Sequence, residues 1–184
     1  MPAAIIFSPR PSRPAGTERA RPGDPTLVLG LDPGLRRTGY GALFMEDGRP
    51  KVREAGVLVT SARGDLGRRL QRLFRDVDGL LRELRPAAVS LEDLFVHRAF
   101  PRAAVALGQA QGIIWLVAAA HGVPVVALAP GAVKQAVTGS GRASKAQVQA
   151  AVRTLLGLRR VADPHAADAL ALAYAGLHRL RGRR

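Results

Sequence analysis

Apolar residues fall along the chain in short blocks, and the period of the blocks changes from one stretch to the next. Leu27, Val28, Leu29 and Leu31 form a nearly unbroken apolar run, which predicts a fully buried strand over 26–32. Two more strands are predicted at 38–46 and 51–60, joined as a hairpin by the turn at 47–50. From Gly64 to Arg85 the spacing becomes helical: Leu66, Leu70, Leu73, Val77, Leu80, Leu81 and Leu84 share one face, and arginines cover the other. Pro86 stops this helix. A short strand over 87–92 ends on Glu92, and a loop leads to a helix over 103–121 that is rich in alanine and glycine. A strand follows at 123–128, then a short helix from Pro130 through Gln135 and a flexible loop at 138–142. Ser144 caps a helix to Leu156, with Gln147 completing a capping box. Asp163 and Pro164 open the last helix, which runs to about Leu180. An antiparallel hairpin followed by strands with helical crossovers predicts an α/β class: a mixed five-stranded sheet flanked by helices.

Composition narrows the partners. The 184 residues predict one domain over 26–180, preceded by a disordered, basic, proline-rich tail at 1–25 and followed by a basic tail at 181–184. Lysine and arginine number 28 against 14 acids, a net charge of +14, which draws polyanions by counterion release and makes nucleic acid the expected partner. Cysteine is absent, which removes disulfides and thiolate chemistry and agrees with a cytoplasmic setting. No apolar stretch reaches the roughly 18 residues of a membrane span; 113–120 reads as part of a buried helix.

In so basic a chain each acid needs a reason. Asp32 and Glu92 both end short apolar strands, and two such strands lying parallel would deliver both carboxylates to one sheet edge, where open α/β sheets bind ligands. Asp168 lies in the first turns of the last helix, with His165 three residues earlier on the same face. Unpaired, these groups would repel one another. Around divalent cations they would form a hard-oxygen site suited to Mg²⁺ or Mn²⁺. Taken alone, Asp32 also fits a phosphate-binding turn or a plain structural turn, and the spacing does not choose among the three.

The wider pattern resembles the RuvC-type Holliday-junction resolvases from about Leu27 to Leu180. The segments that carry the likeness are GLDPGLRRTGYG (30–41), LEDLF (91–95), ALGQAQG (106–112), VKQAVTGSGRASKAQVQ (133–149) and AADALALA (166–173), in order. The resemblance implies an RNase H-like fold and a homodimer. It implies a nuclease that resolves four-way DNA junctions by paired, metal-dependent nicks during recombination and repair. It implies Mg²⁺ or Mn²⁺, two ions per subunit, on Asp32, Glu92, His165 and Asp168 as the catalytic set. His165 stands where many members carry aspartate, a departure that shifts expected preference toward Mn²⁺. Phe95 matches an aromatic that stacks at the crossover, and Lys134 and Lys145 match basic residues near the scissile phosphate. Arg98 and Arg142, with Arg36 and Arg102, are phosphate-contact candidates. A branch-migration complex of RuvA and RuvB is the implied delivery partner, and no membrane partner is implied.

Other readings are open. A single DPG…TG turn also resembles actin-like ATPases, which need two such domains. An RNA-processing nuclease of the same fold and a binding-only junction protein are the remaining two. Ala103, Ala106, Ala110 and Ala118 make the helix at 103–121 a candidate subunit interface, or else a buried helix of one subunit. Removal of 1–25 is expected to leave cleavage intact.

Overall fold

The computed structural model describes residues 26–60, 65–93, 101–161 and 163–182, without the side chains of 101–103. The basic tail at 1–25 and the candidates Phe95 and Arg98 lie outside the described residues, as does the side chain of Arg102.

Five strands, β1 (Leu27–Asp32), β2 (Arg37–Glu46), β3 (Arg49–Val59), β4 (Ala88–Glu92) and β5 (Val125–Leu128), form one sheet in the order β3-β2-β1-β4-β5. β1 runs antiparallel to β2 and parallel to β4, and β4 runs parallel to β5. The five helices are α1 (Leu66–Leu84), α2 (Pro101–Ala120), α3 (Pro130–Thr138), α4 (Lys145–Leu155) and α5 (Pro164–Arg181).

Side chains alternate across a strand, so each face of the sheet builds its own core. Leu29, Leu31, Val89 and Leu91 pack with Leu73, Val77, Leu80 and Leu81 of α1 and Ile114 and Val117 of α2. Val28, Leu43 and Leu128 pack on the other face with α3, α4 and α5. Each such leucine or valine withdrawn from water stabilises the fold by about 1.5–3 kcal/mol. The predicted mixed sheet with flanking helices is therefore what forms.

Two local expectations change. The hairpin turn is tighter than 47–50: β2 and β3 stay paired to Glu46↔Arg49, leaving Asp47 and Gly48 at φ 49° and 74°. Positive φ at both central residues is the two-residue turn whose twist matches the strands, so Arg49 and Pro50 belong to β3. α3 does not stop at Gln135 but continues to Thr138, because its stop is Gly139 in the left-handed region, whose N–H bonds the Gln135 carbonyl. The expected flexible loop at 138–142 shortens accordingly and is internally bonded. Thr138 Oγ1 donates to the Ser140 carbonyl at 3.0 Å, and Ala143 N–H donates to the same oxygen at 3.2 Å.

α5 lies unusually close to the sheet. A Cβ on Gly30 would run into the Ala169 backbone, one on Gly39 into the His165 carbonyl, and one on Gly41 into Leu170. On α5 the positions that meet Gly30 and Ser90 are small as well: Ala169, Ala173 and Gly176. Glycine on the strands and alanine on the helix together remove the side-chain layer that would hold the two apart.

Candidate active site

Alternation decides which way the two strand-end acids point. Val28 and Gly30 face α5, so Asp32, two further on, faces it too. Ser90 packs against Gly176 of α5, so Glu92, two further on, faces the same side. β1 and β4 are in register through Gly30↔Ser90 and Leu31↔Leu91, which sets Asp32 and Glu92 side by side at the carboxyl ends of parallel strands. The close approach of α5 then brings His165 and Asp168 over the same edge.

The acids are near enough to act on one another. Burial raises the Asp32 carboxyl above its ordinary range, and the charge of Asp168 adds to this, against a lowering hydrogen bond from His165. Loss of hydration raises Glu92 as well, and the negative charges of Asp32 and Asp168 push it the same way. His165 Nδ1 stands 2.8 Å from Asp32 Oδ2. With the Nδ1–H donated to that carboxylate, Nε2 of the neutral ring keeps its lone pair. Lys145 Nζ donates to Asp168 Oδ2 at 2.6 Å, and this bond holds the ammonium's pKa up. The Lys134 ammonium lies close enough to Glu92 to oppose the rise there. Six of the sequence candidates thus gather at one place: Asp32, Glu92, His165, Asp168, Lys134 and Lys145. Arg142 does not join them. It lines an open cleft of about 590 Å³ between α3 and α4 with Thr138, Ser140 and Gln147.

Three supporting groups escaped the sequence reading as site residues. Asp163 caps α5 by accepting from the His165 N–H at 2.9 Å, and it pairs with Arg37 of β2, so the first turn of α5 is tied to the sheet at the site. Its place before Pro164 marked it as a cap; nothing in the sequence tied it to Arg37. Gln111 of α2, nearly fully buried, donates to the Glu92 carbonyl at 2.8 Å and fixes the backbone there. Thr38 Oγ1 donates to the Gly34 carbonyl at 2.8 Å and closes the turn that follows Asp32.

Among the described residues no three His, Asp or Glu side chains stand arranged to hold one ion. Asp32 pairs instead with His165, and Asp168 with Lys145. Their chemistry nevertheless fits a divalent cation. They are three carboxylates and one imidazole, two of the acids are held above their ordinary range by burial and by the negative charge of their neighbours, and a lysine pairs with the third.

Comparison with known proteins meets this geometry from outside. The family described as crossover junction endodeoxyribonuclease RuvC matches residues 28–176. A relative of that name from Syntrophomonas wolfei is 43% identical over 155 residues, 84% of this chain and 90% of the relative. RuvC of T. thermophilus, solved in complex with a Holliday junction substrate, is 34% identical with a TM-score of 0.78, over 85% of this chain and 96% of that one. The yeast mitochondrial Holliday junction resolvase Ydc2 is 14% identical with a TM-score of 0.61, over 85% of this chain and 79% of its own, and shares the RNase H-like fold. With strand-end acids, an overlying helix and a matching sequence over most of its length, the chain belongs to the RuvC family of crossover junction endodeoxyribonucleases.

Proposed function

We propose that the protein resolves four-way DNA junctions by metal-dependent phosphodiester hydrolysis, with Asp32, Glu92, His165 and Asp168 holding the cations. The observation that carries this is the meeting of acids from β1, β4 and α5 at one sheet edge, where burial raises Asp32 and Glu92 and the negative charges of neighbouring acids add to the rise. Mg²⁺ or Mn²⁺, two ions per subunit, suits the donor set. Two such ions about 4 Å apart activate water and stabilise the leaving oxygen of a phosphodiester.

The chain's own groups do the rest. Asp32 orients the His165 ring through Nδ1, and Gln111 holds the backbone at Glu92. Lys134 and Lys145 supply positive charge beside the acids, the arrangement that attracts a scissile phosphate. Phosphate contacts of this kind give affinity without sequence preference, and the shape of the junction supplies the selection. A homodimer would present two such sites to the two-fold junction. Its support in this structure is α2, which exposes Val105, Trp115 and Leu116. The expected use of Ala110 and Ala118 at that interface does not hold: both are fully buried in the chain's own core. Ala106 is half-buried, and the side chain of Ala103 lies outside the described residues.

A gel tests the proposal. The purified chain is incubated with a synthetic four-way junction and with matched linear duplex, in Mg²⁺, Mn²⁺ or chelator. Paired nicks are expected on the junction alone, and none in chelator. Asp32→Asn should lower cutting at least about 100-fold, the scale of losing a group that supports a bound metal, while junction binding persists. Near-native nicking by that variant would remove Asp32 from the mechanism.

A further inference from the structure

We propose that Lys145 is the resident counter-ion of the acid cluster: it holds Asp168 until a DNA phosphate draws it away, so that DNA and divalent cations each strengthen the binding of the other. This rests on the metal-holding reading of Asp168 above.

The ion pair is short, 2.6 Å, and links the first residue of α4 to α5. Its two halves differ in freedom. The Lys145 side chain is 64% exposed, whereas that of Asp168 is 25% exposed. The carboxylate is anchored on a helix pressed against the sheet, and the ammonium reaches in from solvent on a flexible stem. Asp32 and Glu92 also favour the charged ammonium, so it serves the whole cluster and not Asp168 alone. Ser144 and Gln147 fix the start of α4 with a capping box, which keeps the base of the lysine in place while its tip is free to turn.

Two visitors compete for this one side chain. A divalent cation reaching Asp168 meets a like charge already there and must displace it. A phosphodiester arriving at the sheet edge is an alternative partner for the same ammonium. Each ligand therefore removes what the other must otherwise displace, and linkage makes the effect reciprocal. A protein arranged in this way loads its cations weakly when idle and more tightly when DNA is present.

Mn²⁺ alone is the first probe, followed by the paramagnetic resonance of the free ion, on full-length native protein, Lys145→Gln, Lys145→Arg and Asp168→Asn. Lys145→Gln is expected to bind Mn²⁺ about two- to fivefold more tightly than the native chain, the scale of losing one partly exposed ion pair. Lys145→Arg should stay near native, since it keeps the charge. Unchanged or weaker Mn²⁺ binding by Lys145→Gln overturns the proposal. If Asp168→Asn also leaves Mn²⁺ binding unchanged, the metal-holding reading of Asp168 fails with it; if Asp168→Asn weakens binding, that reading stands. The second measurement needs no metal: anisotropy of a labelled four-way junction in chelator. Asp168→Asn frees the lysine and should tighten junction binding more in the native background than in Lys145→Gln. Equal gains in both backgrounds count against the proposal. Thermal unfolding establishes that each variant is folded.

Discussion

At the scale of single residues, the buried acids work against folding once they are ionised. Asp32 and Glu92 have carboxyl pKa values raised above their ordinary 3.8 and 4.5. A raised acid binds its proton more tightly folded than unfolded. Its contribution is therefore full below the ordinary value and is lost as pH climbs through the raised one. In chelator, Asp32→Asn should gain melting temperature relative to the native chain as pH rises from the acidic range to neutrality, and Mg²⁺ or Mn²⁺ should narrow that gap by stabilising the native chain. A difference that stays flat with pH would contradict the burial of an ionised Asp32. His165 carries a separate prediction. An imidazole in place of a carboxylate favours Mn²⁺, so His165→Asp should lower the ratio of Mn²⁺-supported to Mg²⁺-supported cutting. Equal ratios for the two proteins would refute it.

At the scale of elements, the site depends on how closely α5 lies on β1 and β2. Gly39 shows this most directly, because a Cβ there would collide with the His165 carbonyl, which is backbone and has no rotamer to escape into. Gly39→Ala should destabilise the fold by about 1–3 kcal/mol, as overpacking does, and should slow cutting by moving the helix that bears His165 and Asp168. Gly79 is the control. It sits in α1 with nothing within 4 Å of a built Cβ, so Gly79→Ala should stabilise by about 0.5–1 kcal/mol through helix propensity. Chemical denaturation measures both, and a destabilised Gly79→Ala or an unaffected Gly39→Ala would contradict the packing argument. The elements themselves were legible because their signals are local. Leucine spacing marked α1, and Ser144 with Gln147 marked the start of α4. The end of α3 was missed because Lys134 to Thr138 offers no breaker, and the stop was Gly139, one residue beyond the expected loop's start.

At the scale of the whole molecule, charge and apolar surface divide the labour. The excess of basic residues, +14 overall, draws DNA from a distance. Part of it is spoken for on α1, where Arg72 pairs with Asp76 and Arg82 with Asp78, on the face of the sheet opposite the acids. No helix among the described residues is long and apolar enough to cross a membrane. Trp115 and Leu116 of α2, 46% and 58% exposed, form the apolar surface on which the proposed homodimer would pack. Trp115→Glu should convert a dimer to monomers in sedimentation and abolish coordinated paired nicks while the chain still folds. A dimer that survives the charge would move the interface elsewhere.

The sequence by itself determined the five strands, the five helices, the basic character and the residues worth watching, since strand alternation, helical spacing and caps act over a few neighbours. It also carried the family likeness, in five ordered segments. It left Asp32 divided among a metal ligand, a phosphate-binding turn and a plain turn, and only the tertiary structure set its surroundings. Parallel pairing of β1 with β4 brought two strand ends together, and the glycine and alanine contact let α5 close over them. Lys145, the Arg37–Asp163 tie and Gln111 then completed the neighbourhood from segments up to 126 residues apart. Such meetings depend on the register of strands and the depth of packing, which no short stretch of sequence encodes.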